Sequence, residues 1–109
     1  MKKALVFLFA CLSSILMFAQ APQTHWTGVN VSGGNMLVNA VLQINGVEQT
    51  NPNLEIGVFD SNNGECRGAQ LPLLAPNGRY LYQLIIYGNT GDTYTFNVWD
   101  HENDLELPL

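Results

Sequence analysis

Apolar and polar residues alternate along most of the chain after residue 21, in short runs separated by Gly, Asn, Asp and Pro. A two-residue period predicts β-strands, because successive side chains of a strand point to opposite faces of a sheet. No run in this part of the chain keeps the 3.6-residue apolar period of a helix. The alternation predicts strands over residues 26–31, 36–44, 54–58, 65–70, 80–87 and 93–99.

Residues that favour tight turns stand between these runs. Asn45 and Gly46 tolerate positive φ and predict a hairpin turn. Residues 60–64 predict a second hairpin, which brings the run after them back along the run before them. Pro72 and Pro76 have no backbone N–H, so the segment around them is expected to be a connection or a sheet edge.

The run at residues 80–87 is apolar on both faces apart from Gln83, which predicts a central strand covered on both sides. Roughly six or seven short strands at intervals of about ten residues predict a small antiparallel two-sheet β-sandwich of the immunoglobulin-like type. A small open barrel is the alternative that the same spacing allows. In either case the expectation is one all-β domain.

The start of the chain has the three parts of a secretory signal peptide. Lysines at positions 2 and 3 form a basic start, residues 4–18 are apolar, and residues 19–21 form a small-residue cleavage site. The apolar stretch of about 15 residues is shorter than the ~20 that a membrane-spanning helix needs. We therefore expect residues 1–21 to be a signal peptide. Residues 22–109 then form a single domain, secreted or held at the outer cell surface without a membrane span.

The net charge of the chain limits the classes of molecule that it can bind. The chain after the predicted leader has two arginines and nine carboxylates, a net charge of −7. Such a surface repels nucleic-acid phosphates and anionic lipids, and no cluster of Lys or Arg offers a counter-charge. The composition therefore argues against nucleic acid and leaves proteins and carbohydrate as partners.

No arrangement of residues in the sequence indicates catalysis. Cys66 is the only cysteine of the predicted mature chain, and His25 and His101, which would have to activate it, are distant in sequence. The carboxylates show no marked pair of the kind that glycosidases need, and there is no nucleophile elbow. We expect a non-enzymatic domain in which Cys66 is a small buried hydrophobe.

Oxygen-bearing side chains alternate before a glycine in residues 60–65, as they do in calcium-binding loops. The pattern has Leu71 where such loops have a bidentate Glu, and the same residues are those that a hairpin connection prefers. The polar cluster at residues 100–104 ranks second as a cation site, and no other cofactor is expected. The calcium ligands of the first loop would be Asp60, Asn62, Gly64 and Glu65.

Aromatic residues offer a second candidate site, because sugar rings stack on Trp and Tyr. Trp99 shares a strand face with Thr95 and Asn97, which predicts that it points away from the core. Tyr80 and Tyr82 are the other candidates for contact with carbohydrate. The alternative is that Trp99 covers a sheet edge or packs under the following loop.

Four segments, taken in order, resemble a known module. They read LEIGVF at residues 54–59, GECRGA at 64–69, IIYG at 85–88 and TFNVWD at 95–100. This order resembles the "ECRG"-type β-sandwich module of secreted and surface proteins of Bacteroidetes-type bacteria. The resemblance covers nearly the whole chain after the leader and implies a β-sandwich in an extracellular setting. It implies no assigned activity, and such modules usually occur inside larger multidomain proteins.

Residues 105–109 begin another alternating run. Either this run completes a sheet, or the chain is the front part of a longer polypeptide whose next strand is missing, and we favour the second interpretation. The sequence thus predicts a non-catalytic module for adhesion, scaffolding or display within a larger protein. Its partners would be other domains of that polypeptide or a surface protein. A carbohydrate-binding module is the alternative.

Overall fold

The computed structural model of the chain describes residues 23–108. This part contains β-strands and no helix, which confirms the predicted all-β class, and it therefore holds no helix able to cross a membrane. The predicted leader lies outside the described residues. The strands are β1 (Gly34–Ala40), β2 (Gln43–Ile44), β3 (Val47–Glu48), β4 (Leu54–Asp60), β5 (Cys66–Gln70), β6 (Leu73–Leu74), β7 (Tyr80–Gly88), β8 (Tyr94–Asp100) and β9 (Leu105–Leu107).

Two antiparallel sheets pack together in the manner of a small β-sandwich. One sheet has three strands in the order β1-β7-β6, and the other has four in the order β5-β4-β8-β9. β2 and β3 form a separate hairpin. Its turn is the predicted one, since Asn45 and Gly46 have φ values of 52° and 79°.

The core lies between the two sheets and follows the two-residue period of the sequence. In β4 every second side chain, from Leu54 to Val58, is buried against the alternate side chains of β7. The hydroxyl of Tyr82 in β7 donates a hydrogen bond of 2.6 Å to the carbonyl of Leu54, which ties one sheet to the other. The buried cluster consists of Leu42, Leu54, Ile56, Val58, Tyr82, Leu84, Ile86 and Val98.

The two sheets meet closely along one side. There β5 runs beside β7, and a Cβ added to Gly68 would lie only 2.6 Å from the carbonyl oxygen of Ile85. A glycine is required at this position because the two backbones approach each other directly. On the other side no ladder joins β1 to β8 within the described residues, so the sandwich has an open side there.

Three strand predictions need correction. Residues 26–31 form no strand and cross the four-stranded sheet as an irregular segment. The run at residues 36–44 is divided, because β1 follows β7 only as far as Ala40 and the next strand pairs with β3 instead. β7 is central as predicted, but only one of its faces is covered, and Ile85 on the other face is 48% exposed.

Candidate functional site

The open side of the sandwich exposes side chains that belong to the core face. Phe96 of β8 is paired with the fully buried Val58, and Met36 of β1 is paired with the buried Ile86. Directly paired residues point to the same face of a sheet, so Phe96 and Met36 both face inward. They are nevertheless 46% and 47% exposed, because nothing in the described chain covers this side.

A groove runs along the open side between β1 and β8. We call it the open groove. Its apolar part has a volume of about 360 Å³ and its more polar end a volume of about 350 Å³. The two parts share no lining residue, but Val38 and Phe96 of the first part follow Met36 and Tyr94 of the second along β1 and β8. Among the lining residues that the structure describes, only Asp92, at the polar end, is charged.

Free strand edges border the open groove. β9 pairs with β8 only over Val98–Asp100, so residues 94–97 of β8 have no strand on that side among the described residues. β1 likewise has β7 on one side and no strand on the other. Unpaired edges of this kind offer backbone donors and acceptors to another extended segment.

The most buried charged group lies on the opposite face of the four-stranded sheet. Glu55 of β4 is fully buried and accepts hydrogen bonds from the backbone N–H groups of His25 and Trp26, at 2.7 and 3.2 Å. The Nε2 of His101 lies 2.7 Å from the same carboxylate. Since a carboxylate can only accept, Nε2 carries the hydrogen. Glu55 therefore holds the backbone of His25 and Trp26 against this face of the sheet.

Aromatic packing completes this attachment. The Trp26 ring lies over Gly57, where an added Cβ would be 2.5 Å from a ring carbon, and it meets Phe59 edge to face. The His25 ring stacks on Trp99 with 3.6 Å between ring centroids. One face of Trp99 is thus occupied by a side chain of the same molecule.

The three residues proposed for contact with carbohydrate do not form one surface. Trp99 points outward as predicted but carries His25 on its ring. Tyr80 is partly buried at the start of β7. Tyr82 is only 1% exposed and belongs to the core, so its candidacy needs correction: burial removes it from any sugar, and also raises its pKa to about 12.

The predicted calcium loop forms a hairpin connection, and its carboxylates make hydrogen bonds and ion pairs within the chain. Asp60 accepts from the backbone N–H of Asn62, and its other oxygen lies 3.7 Å from the guanidinium of Arg67. Glu65 lies 3.1 Å from Arg67 and accepts from the amide of Asn30. A buried guanidinium beside both carboxylates supplies the positive charge that a calcium ion would bring, and Gly64 at φ 73° forms the turn.

The second polar cluster, at residues 100–104, also stabilises a turn by hydrogen bonds. Asp100 accepts from the side-chain amide of Asn103 and from the backbone N–H groups of Glu102 and Asn103. These bonds, the Asn103 side chain first, lower the pKa of Asp100. Among residues 23–108 no group of three or more His, Cys, Asp or Glu side chains is placed to hold a metal ion.

Cys66 is partly buried, and its Sγ lies 3.4 Å from the carbonyl oxygen of Gly68. Burial raises the pKa of this thiol, with the backbone contact to Gly68 acting in the opposite sense. The neutral thiol is therefore the favoured form, whereas a nucleophilic cysteine needs the opposite shift.

Two features of the structure were not predicted from the sequence: the contacts of Glu55 and the open groove. Glu55, His25 and His101 are separated by 30 and 46 positions, and only Glu55, an acid inside an apolar strand run, gives a local signal. The open groove gives none, because the alternation predicts that Phe96 faces the core but not whether anything covers it.

Comparison of the chain with models of protein families, with curated proteins and with solved structures finds no match. The resemblance to an "ECRG"-type module therefore stays a prediction.

Proposed function

We propose that this chain is a non-catalytic, secreted or cell-surface β-sandwich module that serves adhesion, scaffolding or display within a larger protein. An immunoglobulin-like strand arrangement and export through a cleaved leader are parts of the same proposal. Its partners are other domains of that polypeptide or a surface protein. The observation that carries the proposal is the open groove, because an exposed apolar surface bordered by polar residues and free edges marks an interaction site.

The state of the buried carboxylates supports a non-catalytic role. Glu55 holds an N-terminal segment, Asp60 lies between a turn and Arg67, and Asp100 closes a turn. Each has hydrogen-bond donors from its own chain. A catalytic acid or base instead needs a position within hydrogen-bond reach of a substrate. The open groove has room for a partner. Its part that includes Val38, Leu84 and Phe96 is mainly apolar.

Binding assays with matched variants test this function. The protein, produced with its own N-terminal segment so that the cell performs any processing, is applied to an immobilised unfolded polypeptide and to insoluble polysaccharides. We expect retention on the polypeptide, loss of retention for Phe96→Asn, and no effect of Leu73→Asn. Leu73 is the control because it is 49% exposed but lies in β6, away from the groove.

Other results assign the protein to another class. Retention on a polysaccharide that Trp99→Ala abolishes would establish the carbohydrate-binding alternative. Turnover of chromogenic esters or glycosides in proportion to the amount of protein would overturn the non-catalytic proposal. Retention on neither surface would contradict a binding role for the open groove.

A further inference from the structure

The edge of β8 that faces away from β4 is paired over only part of its length. β9 pairs with its last three residues, from Val98↔Leu107 to Asp100↔Leu105. Pro108, the last described residue, has no backbone N–H to donate. The same edge continues over residues 94–97 with no strand beside it in the described chain. Strand pairing on this side is therefore established for three of the seven residues of β8, and no strand of the described residues 23–108 lies along the other four.

A strand added along residues 94–97 of β8 would have a defined direction and a defined side-chain orientation. β9 runs antiparallel to β8, and the line of β9 extended past Val98 passes Phe96 and then Tyr94. Alternate side chains of a strand on that line would point to the inward face of the sheet, the face to which Phe96 points. The space on that side is suited to them, because the groove walls include Val38, Leu84 and Val98.

The charge distribution favours a basic partner over a second copy of this chain. Residues 23–108 contain nine carboxylates and two arginines, and both arginines are paired with carboxylates. Two such molecules repel each other. The charged residue lining the groove is Asp92, next to the start of β8. The carboxyl-terminal end of an antiparallel strand would lie there.

We propose that the open groove binds an extended segment of another protein, which pairs antiparallel with residues 94–97 of β8. This segment has apolar residues at alternate positions, directed between Phe96 and Met36, and a Lys or Arg near its carboxyl-terminal end, beside Asp92. The proposal rests on the proposed function and names its partner. Backbone hydrogen bonds supply affinity, and the alternate apolar side chains supply specificity.

Titration with synthetic peptides tests the proposal on the wild-type protein. The probe peptide alternates Val and Thr and ends in Lys. One control has the same composition in an order without alternation, and another carries the Lys at the amino-terminal end. We expect the probe to bind about tenfold more tightly than the scrambled peptide, which corresponds to about 1.4 kcal/mol. Amide hydrogen exchange should slow at residues 94–97.

Variants locate the contact. Phe96→Asn should weaken binding of the probe peptide about tenfold, whereas Leu73→Asn should leave it unchanged. Asp92→Asn should abolish the preference for Lys at the carboxyl-terminal end. The amide oxygen of that variant still accepts the N–H of Asn89, so the loop is preserved.

Contrary results are equally specific. Equal binding of the probe and scrambled peptides, or exchange protection on β1 in place of β8, would overturn the proposal. Saturation of the groove by a second copy, seen as a dimer that the probe cannot displace, would overturn the choice of partner. If the protein is retained on immobilised polypeptide without protection at residues 94–97, this inference fails and the proposed function stands.

Discussion

At the scale of single residues, the fully buried Glu55 joins parts of the chain that are distant in sequence. Its carboxylate accepts from two backbone N–H groups and from His101. Glu55→Gln keeps the shape but turns an N–H₂ group toward these donors, so we expect a loss of about 1–3 kcal/mol in the free energy of unfolding. Urea denaturation measures the change. The control is the exposed Glu102→Gln, which should be within about 0.5 kcal/mol of wild type.

A second prediction at this scale concerns the contact of Gly57 with Trp26. An added Cβ would be 2.5 Å from the ring, so Gly57→Ala should displace the ring and destabilise the protein by about 1–3 kcal/mol. In a Trp26→Ala background the part of that cost due to the Trp26 ring should disappear, whereas the part due to Phe59, whose ring would lie 2.9 Å from the added Cβ, should stay. Gly34→Ala is the control, since its nearest neighbour would be 3.4 Å away. An unchanged cost of Gly57→Ala without Trp26 would show that another contact is responsible.

At the scale of elements, the bond from Tyr82 in β7 to Leu54 in β4 joins the two sheets. Burial raises the pKa of Tyr82 from 10.0 to about 12. The folded state thus holds this proton more tightly than the unfolded chain does. The resulting stabilisation, about 2–3 kcal/mol, is complete below about pH 10 and is lost as the pH rises through about 12.

The measurement for Tyr82 is denaturant unfolding across this alkaline range. We expect wild-type stability to fall more steeply than that of Tyr82→Phe, which lacks the ionisable group. Tyr82→Phe should also be less stable at neutral pH, by about 0.5–1.5 kcal/mol, because it lacks the hydrogen bond. Parallel pH profiles for the two proteins would show that Tyr82 ionises as readily in the folded state as in the unfolded chain.

At the scale of the whole molecule, the excess of carboxylates opposes compaction. With two arginines against nine acids in residues 23–108, we expect salt to stabilise the fold by screening repulsion between exposed carboxylates. The melting temperature should rise by about 2–5 °C between low and physiological ionic strength. Glu106→Lys, at an exposed position in β9, should reduce that rise. A melting temperature that falls with salt would mean that attractive pairs dominate.

The sequence by itself determined the all-β class, most of the strands and the hairpin turns. Alternation at Leu54, Ile56 and Val58 predicted which face of β4 packs into the core between the sheets, and Asn45-Gly46 predicted a turn that the structure contains. These features depend on the local period of side chains and on the φ preferences of single residues. Local sequence contains both kinds of information.

Only the tertiary structure decided what each face and edge meets. Residues 26–31 have the alternation of a strand, yet they form none. Their contacts are with distant residues: the N–H of Trp26 donates to Glu55, and the N–H of Asn30 donates to the carbonyl of Cys66. The alternation of their strands directs both Tyr82 and Phe96 toward the core. Tyr82 is buried, whereas Phe96 is exposed. The physical reason is that alternation fixes only the side to which a residue points. Whether another element covers that side depends on contacts between distant parts of the chain.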